Sequence, residues 1–247
     1  MISRRSRFRI GLLVPFTNSN LEPDMAAMCP DDVTIYTARM GGYDENAIPD
    51  AAQMQGLGDA DLEGPLRLLM GVRPDVVMYG CTSATLTHGI AFDQALAARI
   101  QSLSGAQTIT AAGALVQALQ HLGADHIGFA SPYVPAINDM AIDFLAKAGV
   151  TTVARADMTE TLDNEGQGAL SPDAVRAHAL LADHPKAQAL VLSCTDMRSV
   201  EVLHRIEAEV GKPVVSSNQA MMFAAQSVLG FDQPIQGYGT LLSGGFG

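Results

Sequence analysis

Three cysteines punctuate the chain, Cys29, Cys81 and Cys194, and two of them sit in matching surroundings. Val77-Met78-Tyr79-Gly80-Cys81-Thr82-Ser83 and Val191-Leu192-Ser193-Cys194-Thr195-Asp196 both pass from an apolar stretch through a small residue into Cys-Thr, a little under half the chain apart. A thiol at a strand end faces the N–H groups that open the next helix. Those groups favour a thiolate and can hold a carboxylate or enolate oxygen. Two such thiols on opposite sides of one cleft suit proton abstraction and return beside a carboxylate, or nucleophilic addition. The competing reading is packing, because free cysteine is among the most buried residue types. Cys29 precedes Pro30 and has no counterpart, so it reads as structural.

Other polar residues fall where strands should end. Asn18, in Pro15-Phe16-Thr17-Asn18-Ser19-Asn20, either caps a helix or donates to a substrate carboxylate. Tyr133, in Ser131-Pro132-Tyr133, is either a packed ring at a helix start or a phenol reaching into a cleft. Asn164 lies in a polar stretch where an Asx turn is the default. His88 follows Cys81 by about two helical turns and should point away from the sulfur. The six histidines form no H-E-x-x-H pattern, and no C-x-x-C pair, phosphate-binding glycine loop or G-x-S-x-G elbow occurs. Neither a metal nor a nucleotide cofactor is expected.

The elements that must position these residues follow from periodicity. Strand-like runs cover residues 8–14, 33–36, 76–79, 126–130, 151–154, 189–192 and 213–215. Between them apolar residues repeat at helical spacing, as in Leu62, Leu66 and Leu69, or Ile137, Ala141, Phe144, Leu145 and Ala148. Glycines close several of these stripes, at Gly71, Gly123, Gly149 and Gly211. Strands alternating with helices predict an α/β fold with parallel strands covered on both faces. Ligands in such folds bind beyond the carboxyl ends of the strands, where both Cys-Thr motifs fall.

Composition bounds the partners. The 247 residues are 48% hydrophobic and 17% charged, enough apolar material for a sizeable core. A net charge of −11 disfavours nucleic acid and anionic membranes, and no apolar run reaches the length of a transmembrane helix. Three cysteines in a chain this long point to free thiols in a reducing cytoplasm. Arg4, Arg5, Arg7 and Arg9 read as a short basic tail before the first strand.

The motifs, taken together and in order, resemble the aspartate/glutamate racemase superfamily. They are Val14-Pro15-Phe16-Thr17-Asn18-Ser19, Gly80-Cys81-Thr82-Ser83-Ala84-Thr85, Ser131-Pro132-Tyr133, Ser193-Cys194-Thr195 and Lys212-Pro213-Val214-Val215-Ser216-Ser217-Asn218-Gln219. The nearest branch is that of maleate cis-trans isomerase and arylmalonate decarboxylase. The resemblance implies two flavodoxin-like halves related by a pseudo-twofold axis. One half would take residues 1–105 plus 216–247, the other 106–215, with the active site between them and no cofactor. It implies Cys81 as the nucleophile that adds to the double bond of maleate and Cys194 as the partner acid/base. Asn18, Tyr133 and Asn164 would bind carboxylates, helped by the backbone at Thr82, Ser83 and Thr195.

The decarboxylases of that branch lack the first cysteine, so Cys81 speaks for an isomerase. Amino-acid racemases of the superfamily carry Glu or His near the second cysteine, where Asp196 either stands in or caps a helix. The expected activity is isomerisation or racemisation of a small dicarboxylic acid. The alternatives are an arylmalonate-type decarboxylase, an amino-acid racemase, and a non-catalytic dicarboxylate-binding protein. The resemblance also implies a homodimer or larger assembly.

Overall fold

The computed structural model describes residues 6–41, 49–58, 61–231 and 233–244. The start of the basic tail, at Arg4 and Arg5, lies outside them. In the first half, β1 (Phe8–Pro15), α1 (Leu21–Ala27), β2 (Val33–Met40), α2 (Ala51–Gly58) and α3 (Glu63–Met70) lead to β3 (Val76–Tyr79). Then come α4 (Thr82–Leu86), α5 (Ile90–Ser104), β4 (Gln107–Thr110) and α6 (Ala111–His121). The second half runs β5 (His126–Ala130), α7 (Pro135–Lys147), β6 (Thr151–Ala156), α8 (Asn164–Gly168), α9 (Pro172–Leu180) and β7 (Ala189–Leu192). After a 3-10 turn at Val200–Val202 follow α10 (Leu203–Val210), β8 (Val214–Ser216), α11 (Ser217–Leu229) and α12 (Thr240–Ser243).

Each half is a four-stranded parallel sheet, in the orders β2-β1-β3-β4 and β6-β5-β7-β8. The two orders are the same pattern repeated. In both, the chain leaves the first strand toward one edge and returns on its other side, so the crevice lies between first and third strands. β3 and β7, those third strands, are buried at every residue, as a sheet covered on both faces requires.

Two expectations change at the junction of the halves. No strand is expected at 107–110, yet Gln107-Thr108-Ile109-Thr110 pairs with β3 in the first sheet. The division expected at residue 105 therefore falls before the last strand of that sheet. Four residues with weak alternation give little local signal; pairing against β3 supplies what the sequence lacks. The return of the chain, expected near Ser216, occurs through α11. This helix opens with a capping box between Ser216 and Gln219, then packs on α6, α1 and β4. Nine of its thirteen residues are buried, so it works as the strut between the sheets.

Glycine is required just before the first cysteine. A Cβ on Gly80 would stand 2.3 Å from Leu21 Cδ2 and 2.8 Å from the Leu13 carbonyl oxygen. The Gly80 N–H donates to that carbonyl at 2.9 Å, and in the other half Ser193 N–H donates to the Ala130 carbonyl at 2.9 Å. Both cysteines thus leave their strands from an equivalent hydrogen bond to the neighbouring strand. Among the described residues no helix is long and apolar enough to cross a membrane.

Candidate active site

Four strand ends converge on one cavity. The turns after β1 and β3 bring Thr17, Asn18, Cys81 and Ser83; those after β5 and β7 bring Tyr133, Cys194, Thr195 and Asp196. α2 closes it with Met54 and Leu57, and α8 with Asn164 and Gln167. The open volume is about 40 Å³, room for a few water molecules. A larger depression of about 480 Å³ lies beside His121 and Phe223, but no cysteine lines it.

Both sulfurs face this cavity, each about 5% exposed or less. The Tyr133 phenol lies within hydrogen-bonding reach of the Cys194 sulfur and the Ser83 hydroxyl. Ser83 Oγ is 3.7 Å from Cys81 Sγ and donates to Met54 Sδ at 2.8 Å. Asp196 N–H donates to Cys194 Sγ at 3.3 Å.

The thiols do not have the lowered pKa values that helix-terminus N–H groups alone would give. Burial pushes Cys81 up, against the N–H groups of Ala84 and Ser83 and the Ser83 hydroxyl. Burial first, then the Asp196 carboxylate, push Cys194 up to about 12, against the Asp196 N–H and Tyr133. Desolvation outweighs the donors in this closed site. Tyr133 is raised far above an ordinary phenol, again by burial, so it stays protonated and can donate. The two cysteine turns also differ. Cys81 is followed at once by α4, whereas residues 194–199 are not helical. A helix directly after Cys194, expected from its likeness to the first motif, is absent.

Asn18 holds the start of α1 and reaches across to the other half. Its Oδ1 accepts from the N–H groups of Asn20 and Leu21 at the start of α1. Its Nδ2 donates to Thr195 Oγ1 at 3.0 Å, which in turn donates to the Gly80 carbonyl at 3.0 Å. Asp196 serves as an anchor. Its Oδ1 accepts from the N–H groups of Ser19 and Asn20 and from both side chains, so a loop of one half is tied to the start of α1 in the other. A Cβ on Gly168 would lie 3.0 Å from Asp196 Oδ2 and 2.9 Å from Ser19 Oγ, so glycine leaves room for this cluster.

Of the residues expected at the site, Asn18, Cys81, Ser83, Tyr133, Asn164, Cys194 and Thr195 line the cavity together. Thr82 does not; its hydroxyl donates to Ser217 Oγ at 2.9 Å, away from the opening. Asn164 opens α8 instead of lying in an irregular loop. His88 donates from Nδ1 to the Ala84 carbonyl at 2.6 Å and stacks on Phe92, off the cavity as expected. Met54, Leu57 and Gln167 carry no chemical signal in the sequence; only the placement of α2 and α8 brings them in. Among the described residues no Lys or Arg lines the cavity, so an anion there meets neutral donors from them. Among the described residues no three His, Cys, Asp or Glu side chains are grouped to hold a metal ion.

A repeated sheet with a cysteine at each switch point is a specific arrangement, and comparison with known proteins assigns it. The arylmalonate decarboxylase family matches over residues 10–242. The chain belongs to that family. Within it, the chain is similar to the maleate isomerase of Pseudomonas putida, 27% identical over 97% of this chain and 98% of that one. It is also similar to the arylmalonate decarboxylase of Bordetella bronchiseptica, 26% identical over 94% and 95% of the two chains. In three dimensions it matches a cysteine-to-serine mutant of the Nocardia farcinica maleate cis-trans isomerase that carries a covalently bound succinylcysteine intermediate. That match has a TM-score of 0.86 at 24% identity and covers 97% of this chain and 99% of the other. It shows the same fold.

Proposed function

We propose that the protein is a cofactor-independent cis-trans isomerase of a small dicarboxylic acid, with maleate the leading substrate. The observation that carries this reading is a pair of sulfurs, one from each half, on the walls of one tight cavity beside a phenol that keeps its proton. The two relatives differ in activity, and the presence of a cysteine at position 81 favours the isomerase over the decarboxylase. A cavity this small, closed by Met54 and Leu57, also favours a four-carbon acid over one bearing an aromatic ring.

In this reading Cys81 is the nucleophile. It has two N–H groups, those of Ser83 and Ala84, beside its sulfur, and Cys194 has an adjacent carboxylate that opposes ionisation. The Cys81 thiolate adds to one olefinic carbon, and the π pair takes a proton from the Cys194 thiol at the other. The former double bond is now single and rotates. Cys194 then removes a proton from that carbon, the electron pair re-forms the double bond in the trans geometry, and the C–S bond breaks to return the thiolate. Asn18, Tyr133, Asn164 and the backbone at Ser83 and Thr195 would hold the two carboxylates as neutral donors. The family resemblance supports a homodimer or larger assembly, and three free thiols support a cytoplasmic setting.

Proton NMR in D₂O on maleate, both enantiomers of aspartate and glutamate, and phenylmalonate tests the reading. Conversion of maleate to fumarate is the expected result. Loss of carboxyl from phenylmalonate with maleate untouched would establish a decarboxylase, and saturable binding without turnover a binding protein; either replaces the proposal.

A further inference from the structure

We propose that Asp24 and Asn218 are positioning residues for Cys194, acting through the peptide group that joins Thr195 to Asp196. The inference rests on the reading of Cys194 as the acid/base of the reaction and adds what sets its chemistry. Asp24 belongs to α1 of the first half and Asn218 is the second residue of α11; both are buried. Asn218 Nδ2 donates to Asp24 Oδ2 at 2.7 Å and to the Thr195 carbonyl at 3.1 Å. In a trans peptide the carbonyl and the N–H point in opposite directions, and no peptide among the described residues is cis. The other end of the same peptide is the Asp196 N–H, which donates to Cys194 Sγ at 3.3 Å. A continuous line therefore runs from a carboxyl of α1, through one amide and one peptide, to the sulfur.

The line has a direction that packing alone does not demand. Asn218 Oδ1 is buried without a hydrogen-bond partner, while the Nδ2 of the same side chain serves two acceptors. The acceptor oxygen of Asp24 holds the amide with its Nδ2 toward both oxygens. The Asp196 N–H is one of two groups that favour a Cys194 thiolate against burial and the Asp196 charge, the other being Tyr133. Release of the Thr195 carbonyl lets the peptide turn, and the sulfur loses that donor. Asp24 is an expensive residue for this place: burial raises its carboxyl, with Glu201 and Asp196 adding to the effect and Asn218 and Arg198 opposing it. A buried acid of this kind, beside a catalytic loop and outside the cavity, fits a positioning role.

The test reads the sulfur itself. In full-length protein carrying Cys29→Ser and Cys81→Ser, Cys194 is the sole thiol, and its alkylation by iodoacetamide is followed by mass across pH. Asn218→Ala and Asp24→Ala should move the midpoint of that profile up by about one pH unit, slowing alkylation at a fixed pH below it about tenfold. Asp24→Asn, which keeps an acceptor oxygen, should stay within about twofold of the parent. With Cys29 and Cys81 intact, the same two alanine variants should lower kcat on maleate more than they change KM. Should Asn218→Ala not fold, Asn218→Ser and Asp24→Ala decide by the same criteria. An unchanged alkylation midpoint in folded variants overturns the proposal. Alkylation needs no turnover, so this result stands apart from whether the enzyme isomerises maleate.

Discussion

Burial sets the character of both thiols, and this makes the chemistry sensitive to pH. Cys81 and Cys194 both hold their protons above the ordinary thiol range, because desolvation exceeds the help from nearby N–H groups. The thiolate needed for addition is scarce at neutral pH. We expect kcat/KM for maleate to climb between about pH 7 and 9, by up to about tenfold per unit; a flat profile would contradict a rate-limiting Cys81 thiolate. Substituting either cysteine by serine should lower turnover by at least about a thousandfold, with thermal stability close to that of the parent. Asp24 gives a stability test with a definite sign. Its folded pKa is about 7 against an ordinary 3.8, so between those values the folded chain binds a proton that the unfolded chain has lost. Stability must fall as pH rises through that window. Asp24→Asn should therefore be stabilising at pH 8, by about 1–3 kcal/mol, with the advantage gone near pH 4; thermal melts at the two values check it.

The strands and helices that carry the site were legible because their signals are local. An apolar run of four residues ending in a small residue marks β3 and β7, and the turns after β1 and β5 hold the polar residues expected there. Other features were not, for reasons that are physical. β4 exists through its pairing with β3 and has little pattern of its own. The non-helical turn after Cys194 depends on Asp196 reaching α1 across the molecule. The depth that raises the thiol pKa values comes from α2 and α8 closing over the cleft, and neither Met54 nor Gln167 announces this in sequence. Gly80 was part of a quoted motif, but its necessity shows only in space. Gly80→Ala would drive a methyl group into Leu21 and the β1 backbone. The expected cost is about 1–3 kcal/mol, read as a lower urea midpoint; a neutral effect would mean that α1 shifts freely.

At the scale of the whole molecule, two copies of one sheet pattern share an apolar core with α11 between them, and around the site a small set of polar contacts also joins them. Asp196 binds the start of α1, Asn18 binds Thr195, and Asn218 joins Asp24 to the Thr195 carbonyl. These same contacts shape the cavity, so the coupling of the halves and the geometry of the site are one construction. Asp196→Ala would leave the N–H groups of Ser19 and Asn20 without their acceptor. We expect a loss of about 1–3 kcal/mol, or roughly 2–12 °C in Tm for a chain of this size, together with weaker binding of the substrate. If Cys81 bonds to the substrate while Cys194 moves the proton, the bond to Cys81 should be trapped when Cys194 is removed. Cys194→Ser protein should be incubated with maleate, then measured intact and after digestion by mass spectrometry. The mass should rise by one maleic acid unit, carried on Cys81. Absence of the adduct, or its appearance on Cys29, would contradict it.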